Sequence, residues 1–541
     1  MKIGGRIAAA ALGIACLLGT ASCVRSDLKE GRAQAVLPEI HAPESVIYVI
    51  NRGDLSDAEY TVASSLQGIC AQREARIYIE DGENIVFLEQ YLKENKGISV
   101  QRVADLWTLV RENRDALTDG GCVLFRMGDN TINSAFTIAG MERWLAVPEE
   151  LAGQAEAIGL EIKQDLTKPD GALTQEQVFE KYQDRLNKNL LVHQSPELVT
   201  LRDYAVAAGA FCFYTNEDDR AQVKFREQVF EWANENAIAF GWSADELGYV
   251  KQASGSAIAV IPSDHCSNLS LLSSLKLREP IHQKNSPEQV TAQEGKHYIA
   301  LVMSDGDNAQ WYETTVPFRD HYYDRVQTAG DYKLSWTAPP MLYRLAPTVL
   351  QYVYNMATDR DRFVCGVSGL GYINPTRYPE AALEHFAAGT VQAMRQADLQ
   401  VVTILDNSTS THKLGRALEA YAVQESLSGG LMQIEDKYEA LDGKMVISGG
   451  KSFVSVKKSF WFTSENQEEK ISREWIEDFA QELNALPCDI RSEEGYSYIN
   501  IHPWSTSIED LNLLVSLLDD HIEIVYAEEL LAMIAENVIQ D

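Results

Sequence analysis

Between residues 296 and 541 short apolar runs recur, and each stops on polar or aromatic residues. The first, residues 298–303, is continuous and bounded by turn signals, which predicts a strand buried on both faces. Further predicted strands cover 333–336, 363–367, 401–405, 431–434, 444–447, 498–501 and 522–525, with helical stretches such as 380–396 and 471–486 between them. Seven or eight strands alternating with helices over about 245 residues predict a β/α barrel, preceded by a domain of divergent α/β repeats. The barrel geometry puts the carboxyl ends of all strands on one face. There the sequence offers Asp305 and Asp307, Thr337 to Pro340, Gly369 to Pro375, Asp406 and Asn407, Glu435 and Asp436, and His502 to Trp504. One shared polar site is the expectation.

The opening strand ends in Ser304-Asp305-Gly306-Asp307-Asn308. Gly306 is expected to supply a sharp turn between the acids. Two carboxyls so close in sequence fit a pair in which mutual repulsion raises a pKa and prepares a proton donor or base. They fit equally well an Asp-rich turn capping the next helix. Asn308 and Trp311 lie beside them.

The N-terminal half reads as βα-type units of irregular spacing. Strands are expected at 45–50, 75–79 and 121–126, helices at 56–72, 85–94 and 130–144, and a further unit around 190–214. Residues 148–188 are acidic and helical in character, suiting a peripheral position. After an amphipathic helix at about 222–236 comes Phe240-Gly241-Trp242-Ser243-Ala244-Asp245-Glu246. A glycine, a tryptophan and two acids suit a sugar-facing loop, while Ser243 followed by Glu246 also reads as a capping box. Asp264 and Asn268, after the apolar run 257–261, could bind a polyhydroxy ligand or form an Asx turn. The polar stretch 285–296 divides the repeats, residues 36–290, from the barrel, residues 296–541.

Length and charge narrow the partners. A chain of 541 residues exceeds one ordinary core. Its 47 basic against 79 acidic residues disfavour nucleic acid and anionic membrane surfaces. Residues 1–23 have the form of a targeting segment, with Lys2 and Arg6 before an apolar stretch and Gly19-Thr20-Ala21-Ser22 before Cys23. This is similar to a bacterial lipobox, which makes Cys23 a lipidation site and confines any membrane contact to the N-terminus; simple cleavage near Ser22 is the alternative. Cys70, Cys122, Cys212, Cys266, Cys365 and Cys488 are scattered without a C-x-x-C pair, which suits buried thiols better than disulfides or a metal site. No cofactor is called for.

Gly369-Leu370-Gly371-Tyr372-Ile373-Asn374-Pro375 resembles the motif of the GxGYxYP family, described as candidate glycoside hydrolases of gut bacteria. Asn374 stands where the family has its second tyrosine. The resemblance spans nearly the whole mature chain and implies two domains, a seven-stranded β/α barrel and a cleft between them. It further implies catalytic carboxylates from one glutamate of the first domain and two aspartates after the first barrel strand. Matched residue by residue, these are Glu246, Asp305 and Asp307.

Glycoside hydrolysis needs a protonated carboxyl at the leaving oxygen and an ionised one across the sugar ring. Glu246 is assigned as acid and Asp305 or Asp307 as base, with the reverse nearly as well supported. Trp242, Trp311, Trp336 and Trp504 offer faces for sugar rings, and Gly369, Gly371, Tyr372, Asp406 and His502 complete the expected substrate-binding set. Two rivals remain. A metal-dependent polysaccharide deacetylase would add paired histidines, but no H-x-x-x-H occurs among the ten histidines. A non-catalytic glycan-binding lipoprotein would keep the cleft without the chemistry.

Overall fold

The computed structural model describes residues 37–169, 171–319, 321–328, 330–462 and 471–538. The targeting segment and Cys23 therefore lie outside the described residues. The described residues cluster as one compact unit.

Three small parallel sheets occupy the N-terminal half. The first orders β2-β1-β3 from β1 (Val46–Asn51), β2 (Ile77–Glu80) and β3 (Ser99–Arg102). The second orders β5-β4-β6 from β4 (Gly121–Phe125), β5 (Leu145–Pro148) and β6 (Glu161–Asp165). The third orders β10-β9-β7-β8 from β7 (Leu190–His193), β8 (Phe211–Phe213), β9 (Ala237–Gly241) and β10 (Ile258–Ile261). The central strands are mostly apolar, as parallel strands covered on both faces must be. β6 corrects the expectation of a purely helical segment at 148–188: its residues are only partly buried, so it lacks the apolar run that marks a strand.

The C-terminal half is a parallel barrel. Its strands are β11 (His297–Met303), β12 (Leu334–Ala338), β13 (Asp361–Cys365), β14 (Val401–Asp406), β15 (Gly429–Ile434), β16 (Met445–Ser448), β17 (Lys451–Phe460), β18 (Tyr496–Ile501) and β19 (Ile522–Val525). Seven of these strands close the barrel. At the top, β11 pairs with β12 through Val302–Ser335 and Met303–Trp336, closing a ring of seven. Lower down, β19 takes that side of β11, pairing Ile522 to Val525 with His297 to Ala300. The predicted strand at 444–447 is not a barrel stave. It is β16, an antiparallel arm on β17, and the stave is β17 itself. Serines and the Lys457-Lys458 pair, where β17 bulges against β18, hide that strand in the sequence.

Alternate barrel residues join two cores. Ile299, Leu301 and Met303 belong to a cluster that also holds Ile47, Leu190 and Ala259, so barrel and N-terminal sheets share one apolar interior. Tyr298, Ala300 and Val302 pack instead with Leu530, Leu531 and Ile534 of the helix Ala527–Asn537. All six described cysteines are free thiols, five of them buried.

Candidate active site

The loop after β9 approaches the mouth of the barrel. Ser243 is buried and its hydroxyl donates to Glu217, which is in turn paired with Arg226. The helix that follows, Glu246–Gly255, is capped by Asp245, whose carboxylate accepts from the Gly248 N–H at 3.1 Å. Ser243 is therefore not the cap, and Glu246 is the first helical residue, not the third. Released from a capping box, its carboxyl is available to the cleft. The loss of water around it, and then the charges of Asp305 and Glu435, hold it above the ordinary glutamate range.

Across from it, the chain leaving β11 turns at Asp305, which has φ +63°. Gly306 is needed for a different reason from the one expected: a Cβ there would lie 1.8 Å from the Thr337 carbonyl oxygen of β12. The Gly306 N–H donates to the Thr337 hydroxyl at 2.8 Å, and that hydroxyl donates to the Met303 carbonyl at 2.8 Å. Asn308 Nδ2 donates to the Asp305 carbonyl at 3.2 Å. This lacing fixes both acids relative to the strand end. Asp307 is half-buried, and its carboxyl is pushed up to about 7, first by burial and then by the Asp305 and Glu246 charges.

Asp305 Oδ2 accepts from the Trp504 indole N–H at 2.6 Å and lies 3.5 Å from His502 Nε2. His502 is buried and stacks face to face on Trp461 with ring centroids 4.0 Å apart. Burial lowers its pKa, and the Asp305 charge opposes that fall. Its Nδ1 has no hydrogen-bond partner among the described residues. Trp504 is 63% exposed and leans on Trp311 with centroids 4.1 Å apart, a surface aromatic face beside a carboxylate.

Glu435, at the end of β15, completes the group. Its Oε1 accepts from Asn374 Nδ2 at 2.6 Å and from the Tyr372 hydroxyl at 3.1 Å. Tyr372 also stacks on Trp242 at 6.5 Å between centroids. Four carboxyls from two halves of the chain thus converge with aromatic rings around them.

Four family models match the chain in sequence order. They are the GxGYxYP first domain over residues 46–115, the second over 120–186, the third over 188–274, and the domain described as "GxGYxYP putative glycoside hydrolase C-terminal domain" over 295–535. This chain belongs to the GxGYxYP family. A crystal structure described as a "putative hydrolase" from Bacteroides thetaiotaomicron has the same fold: 24% identity, TM-score 0.81, 93% of this chain and 97% of that one covered. No curated protein matches.

Several residues picked from the sequence of this GxGYxYP chain have structural partners of their own. Asn268 is buried and pairs with the backbone of Ile79, accepting from its N–H at 2.8 Å and donating to its carbonyl at 2.9 Å. Trp336 lies inside β12, buried, with its indole N–H on Asp361 at 3.2 Å. Asp406 is buried and saturated by Thr376 and Ser408. The motif glycines serve packing: a Cβ on Gly369 would meet the Thr390 side chain at 2.2 Å, and one on Gly371 the Val260 carbonyl oxygen at 2.9 Å. Asp264 offers its carbonyl to Gln194 and Thr200 and leaves Oδ1 without a hydrogen-bond partner among the described residues. Glu246, Asp305, Asp307, Trp242, Asn308, Trp311, Tyr372, His502 and Trp504 do gather. Glu435 and Trp461 belong with them, yet the sequence set omits both. Glu435 was visible as a strand-end acid; Trp461 follows the strand that the apolar pattern hides.

Among the described residues, no group of three or more His, Cys, Asp or Glu side chains is arranged to hold a metal ion.

Proposed function

We propose that the protein is a glycoside hydrolase that cleaves a polysaccharide or oligosaccharide between the third N-terminal sheet and the barrel mouth, by carboxylate acid/base catalysis. The observation that carries this is the meeting of Glu246 from one half of the chain with Asp305 and Asp307 at the end of β11, where burial and the Asp305 charge hold the Asp307 carboxyl above the usual aspartate range. Acid/base pairs are found where environments push like groups apart in pKa. Asp307 is accordingly the proton donor to the leaving oxygen. Glu246, reaching over from the other wall, is the carboxylate that activates water, the reverse of the order favoured by sequence alone. Asp305 is oriented by Trp504 and faces His502, and its charge keeps the Asp307 proton in place. Trp504 with Trp311 offers an apolar face for a sugar ring.

The test is a panel of purified glycans scored for released sugar. Asp307→Asn and Glu246→Gln should each lower turnover by roughly 10²–10⁴-fold, the usual worth of general acid/base groups. Loss of turnover to a chelator, with both variants still active, would overturn the reading in favour of a metal-dependent deacetylase. Retained glycan binding with no turnover in the native protein would make it a binding lipoprotein. Export with Cys23 lipidated belongs to the same proposal; a Cys23→Ala chain should leave the membrane fraction, and unchanged membrane association would refute it.

A further inference from the structure

The family motif is anchored to the N-terminal half at two points. The Tyr372 backbone exchanges hydrogen bonds with Val260 on edge strand β10, at 2.7 and 3.1 Å. The Asn374 N–H donates at 2.9 Å to the hydroxyl of Ser254, which lies in the helix that begins at Glu246. From this doubly anchored loop, the Tyr372 hydroxyl and the Asn374 amide reach the same oxygen of Glu435. One loop therefore sets the position of two carboxyl-bearing elements, Glu246 from the N-terminal half and Glu435 from the barrel.

Two donors on one oxygen fix the rotation of the Glu435 carboxyl. Its other oxygen, Oε2, receives no hydrogen bond among the described residues. The neighbouring strand-end acid behaves differently: Asp406 receives Thr376 N–H at 2.8 Å on Oδ2, and Thr376 Oγ1 at 2.6 Å and Ser408 N–H at 2.8 Å on Oδ1. Both Asp406 oxygens are thus occupied within the protein, which leaves it none to offer a ligand. Glu435 is half-buried at the cleft and is held by one oxygen alone.

We propose that Glu435 is a fourth carboxyl of the site, held by the motif loop so that its second oxygen accepts a hydrogen bond from a sugar hydroxyl. This rests on the glycosidase reading for the identity of the ligand. The Asn374 contact is this chain's own feature. A tyrosine at that position, as in the family motif, would carry its hydroxyl a ring's length farther from the backbone and could not donate from the same point. Asn374 is thus specificity-determining through Glu435.

Electrostatics gives a second handle. Burial holds the Glu435 carboxyl above its ordinary range, and the Asn374 and Tyr372 bonds pull against that; Asp406 and Asp436 add to the rise. Glu246 in turn feels Asp305 and Glu435, and Tyr438 stands among the same acids. Removing the Glu435 charge therefore lets Glu246 ionise at lower pH.

The test uses the full mature chain carrying Asp307→Asn, so that substrate is bound without being consumed. Cellotetraose, xylotetraose, mannotetraose and maltotetraose are titrated calorimetrically, and the carboxyl stretch of the ligand-free protein is followed against pH by infrared spectroscopy. Adding Glu435→Gln should weaken binding roughly ten- to hundredfold, the worth of a hydrogen bond to a charged acceptor, and should lower the pH at which Glu246 protonates. Tyr372→Phe, which removes one hydroxyl and leaves the fold intact, should weaken binding less and raise the pH at which Glu435 protonates. Unchanged affinity and titration in Glu435→Gln, with only a lower unfolding midpoint, would make Glu435 structural and overturn the inference while the Asp307 turnover result stands. If Asp307→Asn binds none of the four sugars, the sugar-binding part falls with the glycosidase reading. The titrations then decide the positioning part alone.

Discussion

Replacing Asp307 by asparagine should cost activity and add stability, and the two effects should separate with pH. The carboxyl rises from 3.8 to about 7 in the folded chain. Each tenfold change in acidity is worth about 1.4 kcal/mol, so keeping this group ionised in the native state costs up to about 4 kcal/mol. The sign follows from proton counting. Between pH 3.8 and 7 the native state holds a proton that the unfolded chain has released, so stability falls as pH rises through that window. Below it both states are protonated and the penalty is absent; above it the penalty is complete. Asp307→Asn removes the ionisable group. The variant should match the native protein near pH 4 and exceed it by up to about 4 kcal/mol at pH 8, while turnover falls roughly 10²–10⁴-fold. Urea unfolding midpoints measured at intervals from pH 4 to 8.5 give the first quantity, and released sugar the second. A stability difference that does not change with pH, or a variant weaker than the native protein at pH 8, would refute a raised pKa and with it the role of Asp307 as proton donor.

Asn268→Ala should destabilise by about 1–3 kcal/mol, because the backbone groups of Ile79 lose their partners in a buried place; an increase in KM at unchanged stability would return Asn268 to the ligand site. Glu313 is buried, bonded to Ser267, and pushed up to about 8 by burial. Its penalty accumulates as pH rises from 4.5 to about 8, so Glu313→Gln should gain stability at pH 9 relative to pH 5, and a constant difference in urea midpoints would contradict this. Gly371→Ala places a Cβ against the Val260 carbonyl oxygen. It should lower the unfolding midpoint and reduce turnover together, because the same loop positions Glu246 and Glu435; normal turnover in a destabilised variant would uncouple the loop from the site.

Elements with an unbroken apolar run or a regular helical period are legible in the sequence, and strands whose pattern is interrupted are not. The predicted 298–303 is β11 to within one residue, and the predicted helices 85–94 and 380–396 match Ile85–Glu94 and Glu380–Gln396. β17 escaped because a bulge and two lysines interrupt its pattern, and its antiparallel arm β16 offered a cleaner run in its place. Within the site, local spacing located Asp305 and Asp307, since both sit at one strand end. It could not tell Asn268 from a ligand-binding residue, because its partner Ile79 is 189 residues away. The apolar pattern ends the strand at Trp336, but β12 runs two residues further and buries it. Glu435 gains its meaning from Tyr372 and Asn374, 63 and 61 residues upstream, and no local pattern carries that.

The seam between the two halves explains how carboxyls from different parts of the chain can hold a fixed geometry. On one side of the site, the helix after Asp307 is tied to the loop after β10. The Ala309 N–H donates to the Pro262 carbonyl at 3.0 Å, the His265 N–H to Gln310 at 3.3 Å, and the Ser267 N–H and hydroxyl to Glu313 at about 3 Å. On the other side, Tyr372 and Asn374 tie the barrel to β10 and to the Glu246 helix. These are directional bonds to backbone groups, so they fix separation and angle where an apolar contact would permit sliding. The apolar core shared across the seam supplies cohesion without register. The positions of Glu246 and the aspartates are consequently set by the fold itself, which is the preorganisation that the proposed acid/base chemistry requires.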